Sequence, residues 1–240
     1  MRILVTGGAG FLGAWLVRAA LAAGHEAVAL DVSDGRRTLA AILGRDGAAA
    51  VPIVRADVAD ASAVTAAAEG CGAIVHLAAL LTPACRDDPE RAVRINLGGT
   101  VAVFLAARAH GGIPVLHMSS AGVYGPDGRN PPRPQTLYGA LKLGGEQVAR
   151  AFLHEHGVPS IGFRPFVVYG PGREVGLSAG PSLACRAAAR GEPYTIPFTG
   201  EIDLIHGEDV ANAFVAALAR PVEGAEVAGL AGGRIDVAAL

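Results

Sequence analysis

Tyr138 and Lys142 bracket the segment Tyr138-Gly139-Ala140-Leu141-Lys142, an i,i+4 spacing that on a helix sets a phenol and an ammonium side by side. A phenol with a pKa near 10 is ionised to only about one part in a thousand at pH 7, so it becomes a useful base when a cation is held beside it. Ser120, at the end of an apolar strand-like run, offers a hydroxyl to a substrate oxygen. The three fit proton removal from a secondary alcohol while hydride leaves the same carbon, or the reverse reduction of a ketone. A Tyr-x-x-x-Lys pair alone is also a common surface pattern, so its weight depends on what precedes it in the chain.

What precedes it is a place to put the hydride. Thr6-Gly7-Gly8-Ala9-Gly10-Phe11-Leu12-Gly13 joins a first strand to a first helix. Its glycines let the turn close, the backbone approach a pyrophosphate and the helix pack on the sheet. The spacing reads as G-x-G-x-x-G from Gly8 or G-x-x-G-x-x-G from Gly7. The helix start, Gly10 to Gly13, would present N–H donors to phosphate. Asp31 closes the second strand, where a carboxylate accepts hydrogen bonds from ribose hydroxyls and repels a 2′-phosphate. NAD is therefore the expected cofactor, its oxidised ring adding positive charge near Tyr138, while Arg36 and Arg37 keep NADP open.

The elements that must position these groups alternate. Runs at Arg2 to Thr6, Glu26 to Asp31, Pro52 to Arg55, Ala73 to Leu77, Pro114 to Met118 and Ser160 to Phe163 read as strands. Phe11 to Ala23, Ala61 to Glu69, Arg91 to His110 and Leu137 to His156 read as helices ending near Gly24, Gly70, Gly111 and Gly157. The expected fold is α/β, a Rossmann-type doubly wound parallel sheet with a small C-terminal substrate-binding appendage. Residues 1–165 would bind NAD, and 166–240 would form a shortened substrate region, interleaved with a possible return to the core. That second part carries helical stretches near Leu183 to Arg190 and from Glu208 to Arg220. The Gly/Pro/Arg-rich stretch Tyr124 to Pro134 reads as a loop at the carboxyl edge of the sheet and part of a substrate lid.

Composition narrows the class. A 240-residue chain with 51% hydrophobic and 18% charged residues is too apolar for disorder. No apolar run is expected to reach the roughly 18 residues of a membrane span. A formal charge of -2 gives no reason to expect nucleic acid or a membrane surface as partner. The opening residues form a strand rather than a secretory leader, so the expected location is cytoplasmic. Cys71, Cys85 and Cys185 lack the spacing of a disulfide framework or zinc site. His76, His117 and His206 share no ligand spacing, and no metal is expected.

Taken together, these residues resemble the extended short-chain dehydrogenase/reductases, the NAD-dependent epimerase/dehydratase family. The resemblance runs from Met1 to about Ala213 and rests on the glycine turn, Asp57-Val58, His76-Leu77-Ala78-Ala79, Asn96 to Thr100, Ser119-Ser120-Ala121-Gly122-Val123-Tyr124-Gly125, and Tyr138 to Lys142. It implies that Asp57 and Val58 meet the adenine and that Leu77, Ala78 and Ala79 line the cofactor cleft. It also assigns Asn96, Ser119 and Pro165 to the cofactor site. Lys142 would hold the nicotinamide ribose, with Ser120 and Tyr138 on the reacting hydroxyl. A homodimer through the helices Arg91 to His110 and Leu137 to His156 is implied too, although a purely internal packing face explains those helices nearly as well.

Two departures bear on the substrate. Arg164-Pro165-Phe166-Val167-Val168-Tyr169-Gly170-Pro171 has Val167 where nucleotide-sugar members of the family usually carry asparagine. Ile202 stands before Asp203 where they usually carry an arginine facing the nucleotide diphosphate, and an apolar side chain cannot make that charge-assisted contact. The chain also ends at Leu240, soon after this second motif, so a small or open substrate site is expected. Arg129, Arg133 and Arg173 are candidates for binding a carboxylate or phosphate. The reading is hydride transfer at a carbinol carbon of a sugar, sugar acid or similar small substrate. A nucleotide-sugar epimerase or dehydratase that recycles NAD is the alternative, and a non-catalytic NAD(P)-binding sensor the more distant one.

Overall fold

The computed structural model describes residues 1–125 and 130–240. Strand β1 (Arg2–Thr6) is an apolar run in which Ile3, Leu4 and Val5 are all removed from solvent, as a strand covered on both faces requires. A glycine turn leads to α1 (Phe11–Ala22), β2 (Glu26–Asp31), α2 (Arg36–Ala50, kinked at Gly44), β3 (Ile53–Arg55), α3 (Ala61–Ala67) and β4 (Ala73–His76). Helices α4 (Thr82–Asp87) and α5 (Pro89–Ala92) run through a π-helical turn (Val93–Gly98) into α6 (Gly99–Ala109). Then come β5 (Val115–Met118), α7 (Leu137–His156), β6 (Ser160–Pro165), β7 (Val167–Tyr169), α8 (Gly180–Ala188), β8 (Glu201–His206), α9 (Gly207–Leu218), β9 (Ala225–Leu230) and β10 (Gly233–Asp236).

Seven strands form one parallel sheet in the order β3-β2-β1-β4-β5-β6-β9. The order reverses between β1 and β4, so the loops leaving those strands part to opposite faces and open a crevice at their carboxyl ends. This is the Rossmann arrangement that the strand and helix alternation implies. Successive strand residues feed two separate cores. Ile3, Val5, Val75 and Leu116 meet Leu16 of α1 and Phe214 of α9 on one face, whereas Leu4, Val28 and Ile74 meet Val103 and Phe104 of α6 on the other. Full burial of Phe104 or Phe214 contributes roughly 1.5 to 3 kcal/mol each.

Helix α7, which carries Tyr138 and Lys142, is held at both ends. The Thr136 hydroxyl accepts the Gly139 amide at 3.1 Å, and Gly157 closes the helix with φ of 67°, a left-handed conformation that suits glycine.

Several expectations need correction. Helices α2 and α4 occupy stretches that show no clear period, and the expected helix from Arg91 to His110 is divided by the π turn. The run Pro89–Ala109 is long and apolar enough to cross a membrane by length and composition, contrary to the sequence expectation. In the fold it is a core helix, with Val103, Phe104 and Ala107 fully buried against the sheet. Beyond residue 165 the chain builds a second sheet, β10-β8-β7, and also returns to the first through β9, which pairs in parallel with β6.

Candidate active site

The crevice between β1 and β4 begins with a backbone cradle. Gly7 has φ of 69°, and a Cβ there would lie 2.8 Å from the Ala78 nitrogen. A Cβ at Gly13 would overlap the Gly7 carbonyl, so α1 packs against the turn with only backbone between. No side chain caps α1, which leaves its first-turn N–H groups for an anion. At the lip, the Asp31 carboxylate accepts the Ala9 amide at 3.2 Å and the Ser33 amide at 3.1 Å. Asp57 accepts Arg94 Nη1 at 2.8 Å and the Ala59 amide at 3.0 Å. Desolvation opposes its charge, yet these hydrogen bonds and the Arg94 guanidinium hold its pKa below the usual carboxylate value.

Gly7, Gly10, Phe11, Leu12, Gly13, Asp31, Asp57, Val58, Leu77, Ala78 and Ala79 line one continuous cleft. Uncapped helix amides at one end and two carboxylates at the other match a dinucleotide's diphosphate and ribose. Arg36 is turned away, donating to the Ala48 and Val51 carbonyls at the end of α2. Arg37 is exposed and pairs with Glu174 at 2.7 Å. Neither contact places a free guanidinium beside Asp31, which favours NAD over NADP.

Asn96 does not line this cleft. It is buried, and its side chain accepts the Leu80 amide at 2.7 Å and donates to the Leu80 carbonyl at 3.0 Å. It belongs to a relay that braces the cleft wall. The Ala78 amide donates to Thr6 Oγ1 at 3.4 Å, which leaves the Thr6 hydroxyl to donate to His76 Nδ1 at 2.7 Å. His76 Nε2 then donates to Thr100 Oγ1 at 3.1 Å, and that hydroxyl donates to the Asn96 carbonyl at 2.7 Å. This requires neutral His76, whose burial pushes its pKa well below the ordinary value.

A second chamber opens beside the cleft, and both share Leu12, Leu77, Ala79, Leu81 and Arg173. Ser119, Ser120, Tyr138, Lys142 and Pro165 line it, although they come from the end of β5, from α7 and from the end of β6. Lys142 Nζ donates to the Met118 carbonyl at 2.7 Å and lies 5.7 Å from the Tyr138 ring centroid. Burial lowers the Lys142 pKa to about 8. Burial also raises the Tyr138 phenol above its ordinary value, while its hydrogen bond with Ser120 and the charge of Arg173 act in the opposite sense.

Burial thus opposes ionisation of both groups, the phenol and the ammonium. Arg173 is a second cation at the site, and its nearness to Tyr138 is not readable from sequence. Val167 lines the chamber, whereas Ile202 sits in the second sheet opposite Ile235. Arg133 is exposed, and Arg129 lies outside the described residues. Thr82 and Thr136 also line the chamber and were missed. Pro83 and the Thr136 cap ahead of Tyr138 were the available signals, since both mark helix starts. Among the described residues, no group of three or more His, Cys, Asp or Glu side chains could hold a metal ion.

A phosphate cradle at the sheet's reversal point, opening on a Ser/Tyr/Lys chamber, defines a Rossmann oxidoreductase on the short-chain dehydrogenase plan. The chain belongs to the NAD dependent epimerase/dehydratase family, whose model matches residues 3–231. NAD is accordingly its cofactor. Over 230 residues the chain is 34% identical to UDP-glucose 4-epimerase of Mycolicibacterium smegmatis, covering 90% of this chain and 73% of the relative. It is 36% identical over 161 residues to D-erythronate dehydrogenase of Cupriavidus necator, covering 61% and 48% respectively. The fold superimposes on Thermus thermophilus UDP-glucose 4-epimerase in complex with NAD with a TM-score of 0.82 and 28% identity, over 98% of this chain and 79% of that one.

Proposed function

We propose that this protein transfers hydride between NAD and a secondary alcohol carbon of a sugar, sugar acid or sugar-like substrate. The observation that carries the reading is the meeting of Ser120, Tyr138 and Lys142 in a chamber continuous with the cofactor cleft. Bound NAD supplies the hydride acceptor or donor. Tyr138 takes the carbinol proton in oxidation and returns it in reduction, Ser120 orients the substrate oxygen, and Lys142 contributes charge and holds the cofactor ribose.

Dehydration needs a further group to protonate the departing hydroxyl. Among the described residues, no Asp, Glu or His lines the chamber, which favours redox chemistry at one carbon over a dehydratase. Epimerisation needs no added acid, because the ketone can be reduced again in place. The 34% identity to an epimerase over most of the chain supports it as the second reading. A homodimer through α6 and α7 is part of the proposal, supported by exposed Val93 and Leu105 along the helical run Pro89–Ala109; sedimentation tests it.

The decisive experiment offers NAD, and separately NADP, with a panel of free sugars, sugar acids and nucleotide sugars, following NADH by absorbance and products by NMR. Net NADH with NAD, lowered on the order of 10²- to 10⁴-fold in Tyr138→Phe, is the expected result. An isomerised sugar without net NADH establishes the epimerase reading. Full activity in Tyr138→Phe, or tight NAD binding without turnover of any panel member, overturns the proposal.

A further inference from the structure

Arg173 holds a charge that the fold does not neutralise. Its Nε atom is cut off from solvent and has no hydrogen-bond partner among the described residues. Nη2 donates to Ser178 Oγ at 3.2 Å, a neutral acceptor. The guanidinium carbon lies 5.8 Å from the ring centroid of Phe11, which restrains the plane without satisfying the donors. The neighbouring acid, Glu174, is already paired with Arg37 at 2.7 Å and Arg186 at 3.1 Å. A buried guanidinium donor without an acceptor costs free energy that a ligand oxyanion would recover.

The surroundings indicate which oxyanion. Arg173 faces the chamber alongside Leu81, Gly176 and Ser178, and that chamber contains Lys142 as a second cation but no carboxylate among its described lining residues. The cofactor cleft, whose rim Arg173 also lines, carries Asp31, Asp57 and Glu174 beside Arg91, and has helix amides for the diphosphate. The charge imbalance therefore sits on the substrate side.

We propose that Arg173 binds the carboxylate of the substrate, and that the protein acts on hydroxy acids whose carbinol reaches Ser120 and Tyr138. This rests on the redox reading above and narrows its substrate class. The carbinol C–H electron pair leaves as hydride to NAD, the O–H proton passes to the ionised Tyr138 phenolate, and a keto acid forms with NADH. The carboxylate stays on the guanidinium throughout, unchanged in charge.

The test uses glycerate, erythronate, threonate, gluconate and galacturonate, each against its carboxamide. Calorimetry on the protein–NADH complex reads binding independently of turnover, and NADH formation reads activity. At least one acid is expected to bind about 30-fold or more tightly than its amide, as expected for a buried charge-assisted contact. Arg173→Met should remove that preference in the calorimetric Kd, and change the Kd of the amide and that of NAD by less than about threefold. Any fall in turnover of both through the lost charge beside Tyr138 leaves this split unchanged. Arg173→Lys should restore part of the preference.

If no acid binds in preference to its amide, the carboxylate assignment is wrong. It is also wrong if Arg173→Met weakens NAD binding while acid preference persists, since the guanidinium then serves the cofactor diphosphate. Equal turnover of acids and amides overturns this inference while sparing the redox reading. Acid-selective binding without any turnover supports Arg173 and removes the redox reading.

Discussion

Glu146 of α7 and Arg164 of β6 form a bidentate ion pair, with Arg164 Nε donating to Oε1 at 2.7 Å and Nη2 to Oε2 at 2.5 Å. The Glu146 carboxylate is wholly buried. Ser119 Oγ donates to its Oε1 at 2.5 Å, and Arg164 Nη1 donates to the Tyr124 hydroxyl at 2.8 Å. The Glu146 carboxylate thus ties the helix bearing Tyr138 and Lys142 to β6 through the ion pair, and to the segment after β5 bearing Ser119 and Ser120 through the Ser119 hydrogen bond. Breaking it from one side leaves a buried charge uncompensated. Glu146→Leu should therefore cost about 3 to 5 kcal/mol in urea unfolding, and adding Arg164→Leu should recover much of the loss. Strictly additive losses in the double variant would refute the coupling.

Lys142 carries a stability cost at neutral pH. Its folded pKa of about 8 lies below the ordinary 10.5, so between these values the unfolded chain binds more protons and stability rises with pH. Below pH 8 the cost is fully present. Lys142→Met should raise stability at pH 7 by about 3 kcal/mol while reducing turnover, and the gain should shrink as pH approaches 10.5. Thermal unfolding at pH 7 and pH 10 checks this, and a gain independent of pH would rule it out.

Two buried histidines set an acid limit. Burial lowers His117 to about 4 from 6.5, and His76 shifts in the same direction. The unfolded chain takes up these protons first as pH falls, so their contribution is fully present above pH 6.5 and declines toward and through pH 4. His117 alone accounts for about 3 kcal/mol across that window. Urea unfolding at pH 7, 5.5 and 4.5 should show a shallower loss in His117→Leu than in the parent. Parallel profiles would place the acid sensitivity elsewhere.

Gly7→Ala tests the cradle. The added methyl meets the Ala78 nitrogen at 2.8 Å from a backbone with φ of 69°, so both sterics and conformation oppose it. A loss of at least about 1 kcal/mol is expected, together with NAD binding weakened at least about tenfold as the helix amides shift. Fluorescence titration with NAD gives the second number. Unchanged affinity would mean that the turn is not the phosphate site.

Much of this site was legible from local patterns. A covered parallel strand must be apolar along its length, so β1, β4 and β5 appear as continuous runs. Glycines with positive φ mark the ends of α1 and α7. The turn residues and the Tyr/Lys pair act through backbone closeness and helical spacing, both properties of short segments. Helices α2 and α4 were less visible, because α2 is interrupted at Gly44 and α4 spans only six residues.

Tertiary packing decided the rest. Strand β9 has exposed and half-buried positions rather than an apolar face, and its place in the sheet follows from an available edge on β6. Asn96 moved from a cofactor role to bracing Leu80 because its amide is consumed inside the wall. The sequence alone determined the glycine turn and the Tyr138–Lys142 spacing, since these depend on neighbours within a few residues. The charge state around that phenol, the Glu146–Arg164 tie and the unneutralised Arg173 depend on side chains brought together from distant segments. Electrostatic energies follow distance and desolvation in space, which residue order does not encode locally.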